Sequence, residues 1–235
     1  MAVYLILKGG LGNQLFQYAG GLTFGETLYL YPAQPSIHTE RDYRYLFKRG
    51  IPINIKLPSY TLQQTDTFSE WNPMNYERPI TLDGYFQNLP SLRSVIHYVI
   101  ADIKSSLIIQ PNNKTFIHVR RGDYLNYPNL YGGVEEEYYK KAMTFFPLNT
   151  EFIVLSDDID WCKSQVWLSR CKIIDEPDEL KALTLMASCQ GGAIIANSTF
   201  SWWGAILSQN KRTIYPSKWF SNSRPDLFPE DWVCI

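Results

Sequence analysis

The stretch "TFIHVRRGDY", residues 115–124, decides how the second half of the chain folds. Residues 115–119 are β-branched, aromatic or otherwise suited to a strand and predict a buried β-strand. Arg120 and Arg121 therefore stand at its carboxyl end, where open α/β sheets bind their ligands. Because the planar guanidinium fits phosphate and carboxylate, a bound anion is one interpretation of this pair. A surface ion pair with Asp123 is the other, and the pattern alone leaves both open.

The rest of the second half alternates strand patterns with helix patterns. Each strand pattern is almost continuously apolar, which is typical of parallel strands covered on both faces. The second half is therefore predicted to be a doubly wound α/β domain. The strand patterns are "TFIHV", "EFIVLS", "CKII", "GAIIA" and "RTIYP"; the helix patterns are "EEEYYKKAMTFF", "DDIDW", "PDELKALTLMASC" and "TFSWWGAILSQN".

The first half starts in the same way, with a strand "AVYLILK", a turn "GGLGNQ" and a helix predicted from about residue 13 to residue 30. Residues 31–80 carry many prolines and predict short strands and long loops. The stretch "LRSVIHYVIADIKSSLI" predicts a helix, and "QPNNK" at 110–114 is the candidate linker. We expect two Rossmann-like lobes, residues 1–110 and 111–235, facing a cleft that holds the ligand.

Composition narrows the class of partner. The 22 Lys and Arg nearly balance the 23 Asp and Glu, and the net charge of -1 favours neither nucleic acid nor an anionic membrane surface. No apolar stretch approaches the ~20 residues of a membrane helix, and the start of the chain lacks a signal pattern. We therefore expect a cytoplasmic protein. The four cysteines show neither a C-x-x-C pair nor zinc-type spacing, which predicts reduced thiols and no structural metal.

Three successive strands of the second half end in polar motifs, "RRGD", "SDD" and "NST". Because parallel strands end at one sheet edge, the motifs are predicted to meet there as a nucleotide-diphosphate site. Arginines, hydroxyls and helix N–H groups suit the diphosphate, and a carboxylate suits the ribose or base. One aspartate of "SDD" can also cap the next helix. His118 is expected to be a buried, satisfied histidine more than a general base.

Two further motifs have weaker interpretations. "KGGLGNQ" can hold a phosphate or be only a tight strand-to-helix turn, and it lacks the dinucleotide fingerprint because Leu15 stands where the third glycine belongs. It does place the amides of Asn13 and Gln14 at a strand end. Asp158 and Asp160 match the D-x-D pattern of metal-dependent transferases, but residues i and i+2 of a helix do not face one another. Of Trp202 and Trp203, one is expected in the core.

The motifs in their order along the chain resemble the α-1,2-fucosyltransferases of glycosyltransferase family 11. The resemblance reaches both ends of the chain, and residues 31–80 are the main part that it leaves uncovered. It is carried by "GGLGNQLFQYA" (9–19), "GYFQN" (84–88), "HVRRGDY" (118–124), "EYYKKAM" (137–143), "LSDDIDWCK" (155–163), "NSTFSWWGA" (197–205) and "PEDWVCI" (229–235).

The resemblance implies a GT-B-like fold and transfer of L-fucose from GDP-fucose to the 2-hydroxyl of a galactose-containing glycan. It also implies inversion at the anomeric carbon, with no cofactor and no obligatory metal. Because the sequence shows no membrane anchor, the resemblance implies a bacterial or viral cytoplasmic enzyme. Arg120, the key diphosphate ligand, and Asn13 are expected to be catalytic, and Arg121 to hold the loop through Asp123. The expected donor-binding residues are His118, Arg120, Arg121, Asp123, Asp157, Asp158, Asn197, Ser198, Thr199 and Phe200. The expected acceptor and fucose contacts are Gly12, Asn13, Gln14, Tyr85 and Gln87.

Two alternative functions stay open at this point. One is a metal-dependent transferase of another sugar nucleotide that uses Asp158 and Asp160. The other is a protein that binds a sugar nucleotide or glycan without turnover, because the short 31–80 region could lack acceptor-binding parts. Sensitivity to a chelator separates the first from a fucosyltransferase, and binding without transfer or hydrolysis identifies the second.

Overall fold

The structure forms two α/β units, each built on a parallel sheet. The first unit comprises Met1–Leu107 with Pro225–Phe228, and the second comprises Ile108–Arg224 with Pro229–Ile235. The computed structural model describes residues 2–25, 27–32, 42–54, 61–63 (backbone only), 68–77, 79–127, 131, 135–220 and 225–235. Of the 31–80 region, residues 33–41, 55–60, 64–67 and 78 lie outside this set.

The first unit has a five-stranded sheet with the order β3-β2-β1-β5-β4, and all of its pairs are parallel. The strands are β1 Ala2–Ile6, β2 Thr27–Tyr31, β3 Gly50–Pro52, β4 Thr61–Gln63 and β5 Ile80–Asp83; the helices are α1 Leu11–Leu22, α2 Leu89–Leu92 and α3 Ile96–Lys104. Val3 and Leu5 of β1 and Ile80 and Leu82 of β5 are fully buried, as expected of central strands.

The second unit has a six-stranded parallel sheet with the order β11-β10-β9-β6-β7-β8. Its strands are β6 Thr115–Val119, β7 Phe152–Ser156, β8 Lys172–Ile173, β9 Gly192–Ile194, β10 Thr213–Tyr215 and β11 Val233–Cys234. Its helices are α4 Glu136–Met143, α5 Ile159–Ser164, α6 Glu179–Ser188 and α7 Thr199–Ser208. Apolar side chains of four central strands, among them Ile117, Val154 and Ile194, form its core with α4.

The strand order of the second sheet changes direction beside β6. The chain runs outward from β6 to β7 and β8, then returns to β9 on the other side of β6. Such a reversal of direction is the topological switch point at which open α/β sheets bind ligands. The loops that follow β6 and β9 carry the "RRGD" and "NST" motifs, so both motifs lie at this switch point. The predicted α/β class and parallel sheet are confirmed.

Three details differ from the sequence predictions. The helix predicted for residues 13–30 ends at Leu22, since Gly25 adopts a positive φ of 64° and the alternating "TLYLY" that follows pairs with β1 as β2. Trp202 and Trp203 are both fully buried, because α7 buries side chains around most of its circumference.

The C-terminal stretch is the third difference. The sequence predicted that all residues after 110 belong to the second lobe, whereas Pro225–Phe228 pack with the first unit. Leu227 is fully buried there, and the backbone N–H of Leu89 donates to the carbonyl of Asp226 at 2.9 Å. The chain then returns to the second sheet as β11, where the Ile235 N–H donates to the carbonyl of Tyr215 at 3.1 Å.

Candidate functional site

The loop after β6 holds Arg120 between two carboxylates. Its Nη2 lies 2.5 Å from Oδ1 of Asp123, and its Nη1 lies 2.9 Å from Oδ2 of Asp157. The guanidinium carbon lies 5.1 Å from the centre of the Tyr124 ring. A quarter of the Arg120 side chain remains exposed. Because arginine has five N–H donors, the side chain is held in place and retains donors for an anion.

Arg121 is held by a different aspartate. Its Nε donates to Oδ2 of Asp158 at 3.1 Å, and its guanidinium carbon lies 4.0 Å from the centre of the Trp161 ring. The prediction that Arg121 holds the loop through Asp123 is therefore wrong, since Asp123 pairs with Arg120. The physical reason is the turn at Gly122, which brings Asp123 back to Arg120, whereas the loop after β7 supplies Asp158 as the partner of Arg121.

The two aspartates after β7 are engaged with protein groups. Oδ1 of Asp157 accepts the backbone N–H of Arg121 at 2.9 Å. Asp158 is the N-cap of α5, as predicted for one of the pair, because its Oδ1 accepts the Trp161 N–H at 3.1 Å. Asp160 follows in the first turn of α5 and is exposed.

A hydrogen-bond network ties the loop after β6 to the loop after β9. The Tyr124 hydroxyl donates to the carbonyl of Asn197 at 3.0 Å. The side-chain amide of Asn197 donates to the carbonyls of Tyr131 and Trp219, each at 3.0 Å. The Tyr131 ring stacks on Tyr124 with centroids 4.0 Å apart. The sequence reasoning missed Tyr124 and Trp161. Their only signal was position: Tyr124 directly follows "RRGD", and Trp161 comes three residues after "SDD".

His118 lies on β6 beneath this loop and is buried, as predicted. Burial, together with the nearby charge of Arg120, lowers the pKa of His118 from 6.5 to about 3. The imidazole is therefore neutral at physiological pH. Within the described part of the chain its Nδ1 has no hydrogen-bond partner, so the prediction that the buried imidazole is satisfied is wrong. Its ring centre lies 5.9 Å from that of Phe200.

The "NST" motif begins α7 at the carboxyl end of β9. Ser198 is the N-cap residue and is buried, while Thr199 and Phe200 of the first turn are half-buried. Among the described residues, the Ser198 hydroxyl forms no capping bond with α7. Because this ten-residue helix follows β9, which is parallel to β6, its N-terminal N–H groups lie at the same sheet edge as the "RRGD" loop. A helix N-terminus in this position suits a phosphate.

In the first unit, the structure brings together the motifs after β1 and β5. The Gln87 amide donates to Oδ1 of Asn13 at 3.1 Å. Gln14 is fully buried; its Nε2 donates to the carbonyl of Gly9 at 2.9 Å, and its Oε1 has no partner among the described residues. Gly12 is buried in the first turn of α1.

The same edge carries an ion pair that the sequence reasoning missed. Nζ of Lys8 lies 2.6 Å from Oδ1 of Asp83 and 5.0 Å from the centre of the Tyr85 ring. Lys8 directly precedes "GGLGN" and Asp83 directly precedes "GYFQN", so their positions beside the two motifs were the available signal. None of the helices in the described ranges is both long and apolar enough to span a membrane.

Two solved glycosyltransferases share the fold of this chain. The fucosyltransferase NodZ from Bradyrhizobium matches with a TM-score of 0.53 at 13% identity, covering 88% of this chain and 92% of that one. The E. coli heptosyltransferase WaaC, solved with ADP, matches with a TM-score of 0.52 at 8% identity, covering 100% of this chain and 92% of that one. At these identities the matches establish the fold, and the predicted GT-B-like class is confirmed.

Relatives found by sequence similarity give a more specific assignment than the fold does. An α-1,2-colitosyltransferase of Escherichia coli is 28% identical over 291 aligned positions, which cover 97% of each protein. The galactoside α-(1,2)-fucosyltransferase 1 of Mus musculus is 26% identical, covering 99% of this chain and 72% of that one. Residues 56–235 match the family described as glycosyl transferase family 11. The chain therefore belongs to glycosyltransferase family 11.

Proposed function

We propose that this glycosyltransferase moves L-fucose from GDP-fucose to the 2-hydroxyl of a galactoside, with inversion at the anomeric carbon. The observation that carries the proposal is the placement of Arg120 at the switch point of the second sheet, oriented by Asp123 and Asp157. The names of the colitosyltransferase and fucosyltransferase relatives support the α-1,2 linkage and a deoxyhexose donor.

In the proposed reaction, the acceptor oxygen bonds to the anomeric carbon of fucose while the bond from that carbon to the β-phosphate oxygen breaks. Negative charge grows on the phosphate as this bond stretches. A guanidinium that is already oriented stabilises that charge more in the transition state than in the ground state. Loss of one such donor costs about 3 kcal/mol, or roughly a factor of 100 in rate.

The remaining roles follow from positions around Arg120. Ser198, Thr199 and the N–H groups of α7 would bind the diphosphate, and His118, Asn197 and Phe200 would lie on the nucleoside side. In the first unit, Asn13, with Gln14, Tyr85 and Gln87, would bind the fucose and the acceptor. We assign no aspartate of the "RRGD" or "SDD" motifs as the base, since each pairs with an arginine, and propose that the departing phosphate takes the acceptor proton.

We propose that no metal is needed, because Arg120 supplies the positive charge that a divalent cation would otherwise provide. The alternative metal site at Asp158 and Asp160 is disfavoured by contacts that occupy Asp158: its Oδ1 caps α5 and its Oδ2 accepts from Arg121. The transfer assay described below distinguishes an enzyme from a protein that binds a sugar nucleotide without turnover.

Which sugar nucleotide is the donor is a separate question, because one relative is a colitosyltransferase. Colitose differs from L-fucose by lacking the 3-hydroxyl. A site that hydrogen-bonds a substrate hydroxyl discriminates strongly against the analogue that lacks it, whereas a site that leaves the hydroxyl in water does not. GDP-colitose is therefore the second candidate donor.

The test incubates the protein with GDP-fucose, GDP-colitose, GDP-mannose and UDP-galactose, using lactose and related galactosides as acceptors, with and without EDTA. We expect transfer from GDP-fucose, a lower kcat/KM for GDP-colitose, and no effect of EDTA. The Arg120→Ala variant controls for contaminating activity. Transfer that EDTA abolishes and Mn²⁺ restores would contradict the metal-independent mechanism, and donor binding without transfer or hydrolysis would contradict the enzymatic function.

A further inference from the structure

Two consecutive arginines after β6 meet two consecutive aspartates after β7. The register of the two strands aligns Val119 with Ser156, the last residue of each strand. The residues that follow are therefore neighbours in pairs: Arg120 contacts Asp157, and Arg121 contacts Asp158. The second pair has an evident structural purpose, because Asp158 caps α5 and Arg121 packs on Trp161. The first pair needs another explanation.

The carboxylate of Asp157 acts on the "RRGD" loop through both of its oxygens. Oδ1 accepts the backbone N–H of Arg121 at 2.9 Å, and Oδ2 lies 2.9 Å from Nη1 of Arg120. The fit is close, since a Cβ atom added to Gly122 would lie 2.4 Å from that Oδ2. One carboxylate therefore fixes the backbone after Arg120 and the guanidinium of Arg120 at the same time.

We propose that Asp157 is a positioning residue that orients Arg120 toward the leaving diphosphate and makes no contact with the nucleotide. This inference rests on the proposed function. Arginine has a long, flexible side chain, so an unheld guanidinium would have to be ordered during each turnover. Asp157 holds Nη1, Asp123 holds Nη2, and the Tyr124 ring lies against the face.

A positioning role and a nucleotide-binding role for Asp157 predict opposite effects on GDP binding when its charge is removed. A carboxylate that accepts hydrogen bonds from guanine or ribose strengthens GDP binding. A carboxylate that only orients Arg120 stands near the phosphates and repels them in the ground state as well as the transition state. Its removal therefore lowers kcat through misalignment while GDP binding stays the same or becomes tighter.

The first experiment compares Asp157→Asn with Asp160→Asn, which removes a carboxylate three residues further on that is exposed in the first turn of α5. We expect Asp157→Asn to lower kcat by about 10- to 100-fold without raising the Kd for GDP, and Asp160→Asn to change neither. Gly122→Ala displaces the same carboxylate without removing it and should give the same split, so it carries the test if Asp157→Asn does not fold. A Kd for GDP raised about tenfold with kcat unchanged would overturn the proposal.

The second experiment asks whether Asp157 acts through Arg120. In Arg120→Ala, added guanidinium ion at non-denaturing concentrations can occupy the place between Asp123 and Asp157 and restore turnover. We expect restoration in Arg120→Ala and in its combination with Asp160→Asn, and none in its combination with Asp157→Asn. Equal restoration in all of them would overturn the positioning role.

If guanidinium restores no turnover in any variant, a double-mutant cycle of Asp157→Asn and Arg120→Ala still tests the positioning role. Positioning requires that Asp157→Asn reduces kcat in the wild-type background and has no additional effect in Arg120→Ala; equal reductions in both backgrounds would overturn it. Failure of the proposed function is distinct, since it would appear in the wild type itself as donor binding without transfer or hydrolysis.

Discussion

Nη1 of Arg120 lies 2.9 Å from Oδ2 of Asp157, and this contact joins the ends of two neighbouring central strands of the second sheet. Because the two residues belong to loops anchored by β6 and β7, the guanidinium is placed by the sheet and not by its own loop alone. A rigid scaffold of this kind lets a single cation stabilise charge at a defined point.

Arg120→Lys tests whether geometry or only positive charge is needed at this position. A lysine ammonium is a single point that cannot contact both Asp123 and Asp157 while it also donates to a phosphate. We expect kcat with GDP-fucose to fall at least tenfold, and Arg120→Ala to fall by about 100-fold.

The control for these variants is Arg121→Lys, which keeps a charge beside Asp158 and should retain more activity than Arg120→Lys. Circular dichroism should show the same fold for all of the variants. Full turnover by Arg120→Lys would show that orientation of the cation does not matter.

Tyr124→Phe tests the tie between the loops after β6 and β9. The variant keeps the ring beside Arg120 and loses the hydrogen bond from the hydroxyl to the carbonyl of Asn197. Burial raises the pKa of the Tyr124 hydroxyl, so it is a proton donor throughout the working pH range. We expect the KM for GDP-fucose to rise several-fold, because the "RRGD" and "NST" loops would no longer be held at a fixed separation.

Tyr127→Phe is the matched control, since Tyr127 is more than half exposed and meets Tyr131 only edge-on at 6.5 Å. Its kinetic constants should equal those of the wild type. If Tyr124→Phe also left the KM unchanged, the tie between the loops would have no part in donor binding.

The placement of the motifs was predictable because it depends on local pattern. Continuous apolar runs such as "TFIHV" become central parallel strands, and the polar residues that follow must then emerge at one edge. The pairing of individual side chains was not predictable. Which arginine meets which aspartate depends on the register of β6 with β7, and a shift of one residue would change every pair.

The same distinction explains the errors outside the site. The start of β2 was missed because the helix was predicted to continue beyond Leu22, whereas pairing with β1 decides the conformation of "TLYLY". Only one of Trp202 and Trp203 was expected in the core because a lone helix has one apolar face, whereas α7 is covered on several sides. Gly204 allows α6 close to it: an added Cβ atom would lie 2.6 Å from Sδ of Met186.

His118→Gln tests the state of the buried imidazole. The pKa of His118 is about 3 in the folded protein and 6.5 in the unfolded chain, so below pH 6.5 the unfolded chain takes up a proton that the folded protein cannot. The free energy of unfolding therefore falls as pH drops through the window from 6.5 toward 3. Between pH 7 and pH 5 this group should account for about 2 kcal/mol of the loss.

Urea unfolding at pH 7 and pH 5 measures this contribution. His118→Gln should lose about 2 kcal/mol less than the wild type between the two values. His97→Gln, which changes an exposed histidine on α3, should lose as much as the wild type. An identical pH dependence in His118→Gln and the wild type would mean that the imidazole is protonated normally in the folded protein.

Tyr18→Phe tests what holds α1 and α3 together in the first unit. The Tyr18 hydroxyl donates to Oδ2 of Asp102 at 2.6 Å and accepts the backbone N–H of Arg49 at 2.9 Å, and the Arg49 guanidinium pairs with the other oxygen of Asp102. Burial raises the pKa of Tyr18 to about 12, so the hydroxyl keeps its proton. Its removal leaves a buried carboxylate oxygen and a backbone N–H without their partner.

We expect Tyr18→Phe to lower the free energy of unfolding by about 1–3 kcal/mol, measured by urea denaturation. Tyr98→Phe is the control, because it keeps the ring 4.7 Å from the Arg49 guanidinium carbon and changes a side chain that is 42% exposed. It should stay within about 0.5 kcal/mol of the wild type. Equal stabilities of the two variants would mean that the Tyr18 hydroxyl adds nothing, and that the apolar contacts of its ring, such as the stack on Phe47 at 4.6 Å, hold α1 in place by themselves.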